Sequence, residues 1–299
     1  MTAKMHLQAT STAALSRLFS AGVFQELAAY GRSPMFKRLV NDSGLLRDFE
    51  PDTTVGDIFN EAFEALRKSN IRNEYVYRAA LVRNVLIGTH SLATASMLTE
   101  FRTGNSKADL VILNGTATVY EIKSERDSLV RLEKQVSDYQ KVFAKIYVIA
   151  GADHIEGVAN LVPDRVGIMC LKRWNRISII RESIDCPHLV EPIAILESLR
   201  SNEAVLILNM LGREVPDVPN TKLRTALSME FEKIEPATLH FAMVQVLKKT
   251  RDMSRLNDFV EAMPFSLQAA ALTYKIKKPQ QANIVSAVSS PICEALHWA

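Results

Sequence analysis

The chain has 299 residues, enough for two domains with cores of their own. Hydrophobic residues make up 47% and charged residues 23%, an ordinary globular composition that excludes a disordered or collagen-like chain. The formal net charge of +3 is mildly basic, compatible with a nucleic-acid partner but far from a histone-like balance.

The elements follow in chain order. Residues 10–70 suggest three helices, Ser11 to Tyr30, Ser33 to Val40 and Thr54 to Lys68, the third capped by Thr54 and Asp57. Leu15, Leu18, Phe19, Val23, Phe24 and Leu27 mark a packed helical region over residues 1–70 rather than an arm. A helix from Asn73 to Gly88 is next, with Asn73 as N-cap and Gly88 just past its end. Leu98 to Arg102 alternates as a strand, and Gly104-Asn105-Ser106 supplies a turn. Two apolar strands, Lys107 to Leu113 and Thr116 to Lys123, flank Asn114-Gly115, a strong hairpin signal. Ser124 and Asp127 have the form of a capping box and open a helix running to about Ala144, with Leu129, Leu132, Val136, Tyr139 and Phe143 on its buried face. Ile146 to Ala150 is a short buried strand. Val166 to Leu171 and Arg176 to Arg181 read as two more strands that extend the sheet at its edge.

From 187 to 299 the chain reads as a helical C-terminal domain. Candidates are Glu191 to Arg200, Ser201 to Leu211, Lys222 to Lys233, Pro236 to Thr250, Leu256 to Met263 and Leu267 to Lys275. The basic clusters Lys248-Lys249-Thr250-Arg251 and Lys275 to Lys278 are either solvated faces or tracks for phosphates. The domain boundaries expected are thus 1–70, 71–186 and 187–299.

Other chemistries lack their residues. Cys170, Cys186 and Cys293 are odd in number and widely spaced, so neither a disulfide framework nor a four-cysteine cluster is expected. His6, His90, His154, His188, His240 and His297 are scattered, which argues against a zinc site. There is no P-loop lysine, no Gly-x-Gly-x-x-Gly and no Gly-x-Ser-x-Gly. Met1 to Gln8 lacks the apolar core of a signal peptide, and no apolar run is long enough to span a membrane. A cytoplasmic protein without membrane contacts is expected, with a homodimer left open.

The chemistry concentrates at Asp109, Glu121 and Lys123. Two carboxylates and a lysine at adjacent strand ends are equipment for a divalent cation and phosphodiester hydrolysis. Glu121 and Lys123 are two apart and so share one face of a strand. With its flanks, this pattern resembles the PD-(D/E)XK nuclease superfamily. The order of helix, three strands, helix and strand over residues 72–150 is that of its α/β core, a mixed sheet, here with helical N-terminal and C-terminal regions. Gln135-Val-Ser-Asp-Tyr139 is similar to the Gln-x-x-x-Tyr motif of its RecB-type branch. The resemblance implies Mg²⁺ or Mn²⁺ held by Asp109, Glu121 and the Ile122 carbonyl, and Lys123 beside the attacked phosphate. It also implies a further carboxylate at Glu74, with Glu100 as a competitor, and Gln135 lining the cleft as a catalytic and substrate-positioning residue. Tyr139, Arg131 and Lys107 would join Gln135 in contacting nucleic acid. Plain structural alternatives stand beside these: a dipole-stabilised helix acid for Glu74, core packing for Tyr139 and solvent for Gln135. Two functions stay open, a Mg-dependent deoxyribonuclease and a non-catalytic nucleic-acid-binding or regulatory protein on a nuclease-like fold.

The shared site places a demand on the hairpin. A two-residue Asn114-Gly115 loop would set Asp109 opposite Tyr120 and turn Glu121 away from it. Asp109 stands opposite Glu121 only if the loop is Asn114-Gly115-Thr116 with a positive φ, or if a bulge intervenes.

Overall fold

The computed structural model describes residues 9–45, 50, 52–68 and 72–299. The leader reading on Met1 to Gln8, with His6, lies outside the described residues, as does the expected boundary between Asn70 and Ile71. The chain is an α/β protein with helical flanks around one six-stranded mixed sheet.

It divides into two compact units, one of residues 1–83, 173–175 and 256–299, the other of 84–172 and 176–255. These units are drawn differently from the three consecutive regions read from the sequence, because the C-terminal helices are shared between them.

The first unit is helical. Its N-terminal stretch, expected as one helix from Ser11, is two: α1 (Ala9–Leu18) and α2 (Ala21–Tyr30), broken where Ser20 turns extended. α3 (Pro34–Ser43) starts behind Ser33, whose hydroxyl accepts from the Phe36 amide. α4 (Val55–Lys68) has a reciprocal cap. Asp57 accepts from the Thr54 amide at 2.9 Å, and Thr54 Oγ1 accepts from the Asp57 amide at 3.2 Å. α5 (Glu74–Leu81) runs into a π-helical turn, Val82–Ile87, in place of a single helix to Gly88. Aromatic rings fill this core: Phe19 stacks on Tyr75 at 4.5 Å, and Phe63 meets the edges of Tyr75 and Phe265. The end of the chain joins α4 through backbone bonds, Val55 to Ser290 and Ile292 to Thr53. That tie draws residues 256–299 into this unit.

The second unit holds the sheet. Its strands are β1 (Ser96–Thr103), β2 (Ser106–Asn114), β3 (Thr116–Lys123), β4 (Lys145–Ala150), β5 (Gly167–Leu171) and β6 (Ile177–Arg181), in spatial order β1 to β6. The pairs β1–β2, β2–β3 and β5–β6 are antiparallel; β3–β4 and β4–β5 are parallel. The parallel steps need crossovers, which α6 (Leu132–Gln140) and α7 (Ile155–Leu161) supply. β6 lies at the sheet's edge, as the sequence suggests. Its register slips between Ile168 and Met169, leaving Ile180 as the extra residue of a bulge.

Four more helices, α8 (Pro192–Ser198), α9 (Ser201–Met210), α10 (Asn220–Phe231) and α11 (Pro236–Thr250), belong to this unit. Their Leu208, Phe231, Met243 and Leu247 share one core with Val111 and Val119 of the sheet and Val136 of α6. α12 (Asn257–Glu261), α13 (Gln268–Thr273), α14 (Lys278–Ser289) and α15 (Ile292–Ala295) complete the first unit.

One irregularity in β1 shapes the site. Glu100 has φ 53 in mid-strand, a left-handed conformation unusual for glutamate. The register is unchanged on either side, Thr99 to Leu110 and Phe101 to Ala108. Side-chain alternation is nevertheless reversed. Leu98 and Phe101, three apart, join the same core, as do Ala108 and Val111 on the facing strand. The strands switch faces where Glu100 and Asp109 sit.

Candidate active site

The hairpin closes around Gly115 alone. Asn114 pairs with Thr116, Leu113 with Ala117 and Leu110 with Tyr120. Gly115 adopts φ 72, which glycine tolerates without a Cβ penalty. The observed pairing runs as far as Leu110–Tyr120; the same register carried one step further would place Asp109 across from Glu121. Regular pairing ends there because the Asp109 side chain replaces a main-chain partner: its Oδ2 accepts from the Ile122 amide at 2.7 Å. Ile122 therefore enters the site through its N–H.

Glu121, Lys123, Gln135 and Tyr139 form one hydrogen-bonded cluster. Lys123 Nζ donates to Glu121 Oε1 at 2.7 Å and to Gln135 Oε1 at 2.8 Å. Gln135 Nε2 donates to Glu121 Oε1 at 2.6 Å. The amide orientation is dictated by its neighbours. An ammonium only donates, so it needs the amide oxygen; a carboxylate only accepts, so it needs the amide nitrogen. The Tyr139 hydroxyl lies 2.7 Å from Glu121 Oε2 and 3.0 Å from the Lys107 carbonyl, two acceptors for one proton. Burial pushes the Tyr139 phenol far above the ordinary tyrosine range, and the Glu121 charge adds to that. The ring stays a neutral donor. Glu121 is 1% exposed and Lys123 5%, so this buried ion pair survives through its hydrogen bonds. Asp109 and Gln135 are half-buried.

The spacing of Gln135 and Tyr139 puts both on the site side of α6, but the helix starts later than expected. It begins at Leu132 rather than Ser124. Asp127 accepts from both the amide and the hydroxyl of Ser124, at 2.8 and 2.7 Å, closing a local turn that competes with helix. Asp138 on the same helix accepts from Ser106 Oγ at 2.6 Å and so ties the β1–β2 turn to α6; the sequence offered no signal for that contact.

Other candidates are not in the cluster. Glu74 lies in the first unit at the start of α5, where it pairs with Arg78. Asn73 caps that helix, its side chain accepting from Val76 at 3.2 Å. Glu74 thus serves its helix terminus. Arg131 is exposed just before α6, contributing its carbonyl to the Gln135 amide. Lys107 is exposed and pairs with Glu100 at 2.8 Å, so it is engaged by the competing carboxylate. Of the basic cluster on α11, Arg251 is structural. It forms a forked bond to buried Glu203 at 2.9 and 3.0 Å and stacks over Phe101 at 5.3 Å.

Among the described residues no group of three or more His, Cys, Asp or Glu is placed to hold a metal. The donor set is two carboxylates, Asp109 and Glu121. It suits Mg²⁺, which binds to one or two carboxylates, keeps several waters and takes phosphate oxygens from a substrate. It lacks the nitrogen and sulfur ligands of a zinc centre. Glu121 Oε1 already accepts from Lys123 and Gln135, so a cation there competes with those bonds.

The fold and site define an α/β protein whose sheet end gathers two carboxylates, a lysine, a glutamine and a tyrosine. Residues 67–275 match the family of bacteriophage P4 protein cII, more than half of the chain, and the chain belongs to that family. It is 28% identical over 152 residues to protein cII of Enterobacteria phage P4, a match covering 47% of this chain and 58% of that protein. The chain thus spans little more than half the length of this curated relative. The SPO1766 protein of unknown function from Silicibacter pomeroyi aligns with 55% of this chain and 94% of its own at 15% identity. Its TM-score is 0.28, too low to carry an argument. Among the described residues no helix is long and apolar enough to cross a membrane.

Proposed function

We propose that this chain is a metal-dependent nuclease of PD-(D/E)XK type that hydrolyses phosphodiester bonds, with DNA as its substrate. One observation carries the reading: Gln135 of α6 bonds both Glu121 and Lys123, while Asp109 accepts from the amide of Ile122, the residue between them. A Mg²⁺ or Mn²⁺ ion held by Asp109 and Glu121 would supply an acidified water and offset charge on the phosphate. Lys123 places a cation where negative charge grows in the transition state. Gln135 aims that ammonium, and Tyr139 fixes the rotamer of Glu121. Burial of Glu121 and Lys123 keeps bulk water from weakening these interactions.

The closure of Glu121, with both oxygens held by protein donors, favours a second reading: a nucleic-acid-binding protein on a nuclease-like fold without cleavage.

Purified protein with Mg²⁺ or Mn²⁺ on linear, circular and single-stranded DNA separates the two. Under the first reading, Asp109→Ala, Glu121→Ala and Lys123→Ala each lose cleavage by about a hundredfold or more while staying folded, since a positioned metal supplies several kcal/mol. Cleavage that survives in both Asp109→Ala and Glu121→Ala overturns it. Binding without cleavage in the unaltered protein establishes the second.

A further inference from the structure

Both oxygens of Glu121 are in use. Lys123 Nζ and Gln135 Nε2 donate to its Oε1 at 2.7 and 2.6 Å, and the Tyr139 hydroxyl donates to its Oε2 at 2.7 Å. The three donors differ in kind. Gln135 and Tyr139 are neutral. The Tyr139 hydroxyl has a second acceptor in the Lys107 carbonyl at 3.0 Å, so its proton can rotate there and leave Glu121 Oε2 to a cation without going unpaired. Lys123 is a cation itself. Its ammonium stands at the oxygen that a metal ion on Glu121 would need, in a place where Glu121 is 1% and Lys123 5% exposed. Two positive centres so close, with little water between them, repel strongly. Lys123 and a divalent cation therefore exclude each other from Glu121 Oε1.

The ammonium cannot simply withdraw. A buried charge parted from its counter-ion is strongly destabilising. Its other partner, Gln135 Oε1 at 2.8 Å, is a neutral acceptor, and Asp109 is engaged with the Ile122 amide. Whatever admits the cation must bring negative charge for Lys123. A phosphodiester does both things at once. Its anionic oxygens form charge-assisted bonds with an ammonium and are ligands for a hard divalent cation.

We infer that the Lys123 ammonium is the resting occupant of the cation position on Glu121, and that a divalent cation binds tightly only together with a phosphodiester that takes Lys123 over. This rests on the nuclease reading, whose metal ligands it uses, and adds a regulation of that site. Cation and polyanion each strengthen the binding of the other by the same factor, and the protein without nucleic acid is left nearly unloaded.

Calorimetric titration of the full chain with Mn²⁺ tests it, with and without a saturating duplex oligonucleotide whose linkages are phosphorothioates that resist cleavage. Mn²⁺ taken up by the oligonucleotide alone is subtracted. The unaltered protein should bind Mn²⁺ about tenfold or more tightly when the oligonucleotide is present. Lys123→Met should bind Mn²⁺ about tenfold or more tightly than the unaltered protein in the absence of oligonucleotide, and gain little from adding it, although it cleaves nothing. A lysine that merely supports the fold or the site would shift the affinity the other way. Lys123→Gln keeps a hydrogen-bond donor and removes only the charge; it should show the same gain, and serves if Lys123→Met fails to fold. An affinity of the unaltered protein that ignores the oligonucleotide overturns the inference and leaves the nuclease reading standing, as does coupling that persists in both uncharged variants. Absence of Mn²⁺ binding from all three proteins under both conditions overturns the metal-dependent reading, and the inference with it.

Discussion

The Tyr139 hydroxyl and Glu121 Oε2 are 2.7 Å apart, joining the C-terminal turn of α6 to β3 inside the core. The ring is fully buried and packs edge-on against Phe143 at 6.3 Å. Tyr139→Phe removes only the O–H donor and leaves a buried carboxylate oxygen short of a partner. Urea unfolding should show a loss of about 1.5–3 kcal/mol, the range for hydrogen bonds to charged groups. Tyr139→Ala should lose about 3–5 kcal/mol, because a ring-sized cavity is added. Equal stability of Tyr139→Phe and the unaltered chain would mean that the bond contributes nothing to the fold.

Gly115 carries the hairpin register. A Cβ there meets nothing within 4 Å among the described residues, so substitution is limited by conformation rather than space. Gly115→Val should lower stability by about 1–2 kcal/mol, the penalty for a left-handed residue with a side chain. If the strand instead slips to a two-residue loop, amide exchange would show Asp109 opposite Tyr120, and cleavage would fall with it. A neutral Gly115→Val would contradict the assigned turn.

Arg251 should behave as part of the core, not as a phosphate contact. Glu203 is 1% exposed. Its burial would raise the carboxyl, but Arg251 and the Arg200 amide outweigh that and hold it below the usual carboxylate range. A carboxyl with a lowered folded-state value stabilises above its unfolded value, and that contribution is lost as pH falls through the folded value. Arg251→Ala should cost about 2–4 kcal/mol, at the lower side for a buried pair because Arg251 is partly exposed. Lys248→Ala with Lys249→Ala should leave stability nearly unchanged and flatten the salt dependence of any polyanion binding. Unfolding data that show no effect of Arg251→Ala would return that residue to the surface cluster read from the sequence.

His240 on α11 is fully buried, and neither ring nitrogen has a hydrogen-bond partner among the described residues. Burial pushes the imidazole down from 6.5 to about 4, with the Asp185 charge acting the other way. Between those values the unfolded chain takes up a proton that the folded chain refuses. Stability from this residue is therefore intact above 6.5 and falls as pH drops toward about 4, by up to about 1.4 kcal/mol per pH unit. His240→Leu should remove that slope and be at least as stable near neutrality, since it deletes two unsatisfied nitrogens. Parallel stability curves for the two proteins across this window would refute the assignment.

Much of the second unit was legible because its signals are local. Asn114-Gly115 announces a turn, and the need to face Asp109 toward Glu121 selects among its registers. α11 was readable to the residue, since Pro236 suits the first turn and Glu235 caps it, accepting from Ala237 and Thr238. The start of α6 was misread because Ser124 and Asp127 close a turn with the same residues that would open a helix. Pro279 in the first turn of α14 is a start signal for a helix that the candidates ending at Lys275 leave out. The reversal at Glu100 had no such mark, as glutamate does not advertise a positive φ. The joining of residues 256–299 to the N-terminal helices was also hidden. It rests on bonds such as Val55 to Ser290, between residues far apart in the chain. Glu74 shows the limit of motif transfer: the residue type suits either role, and the partner Arg78 lies one turn along its own helix.

The extra residue at Ile180 also bears on the sheet's outer margin. β6 offers two exposed isoleucines, Ile179 and Ile180, the kind of apolar border on which sheets of separate molecules can fuse into fibres. A strand arriving from another molecule would meet main-chain donors and acceptors that fall out of step halfway along. Deleting Ile180 would bring that border back into step, and the sheet would gain an end able to recruit strands from its neighbours.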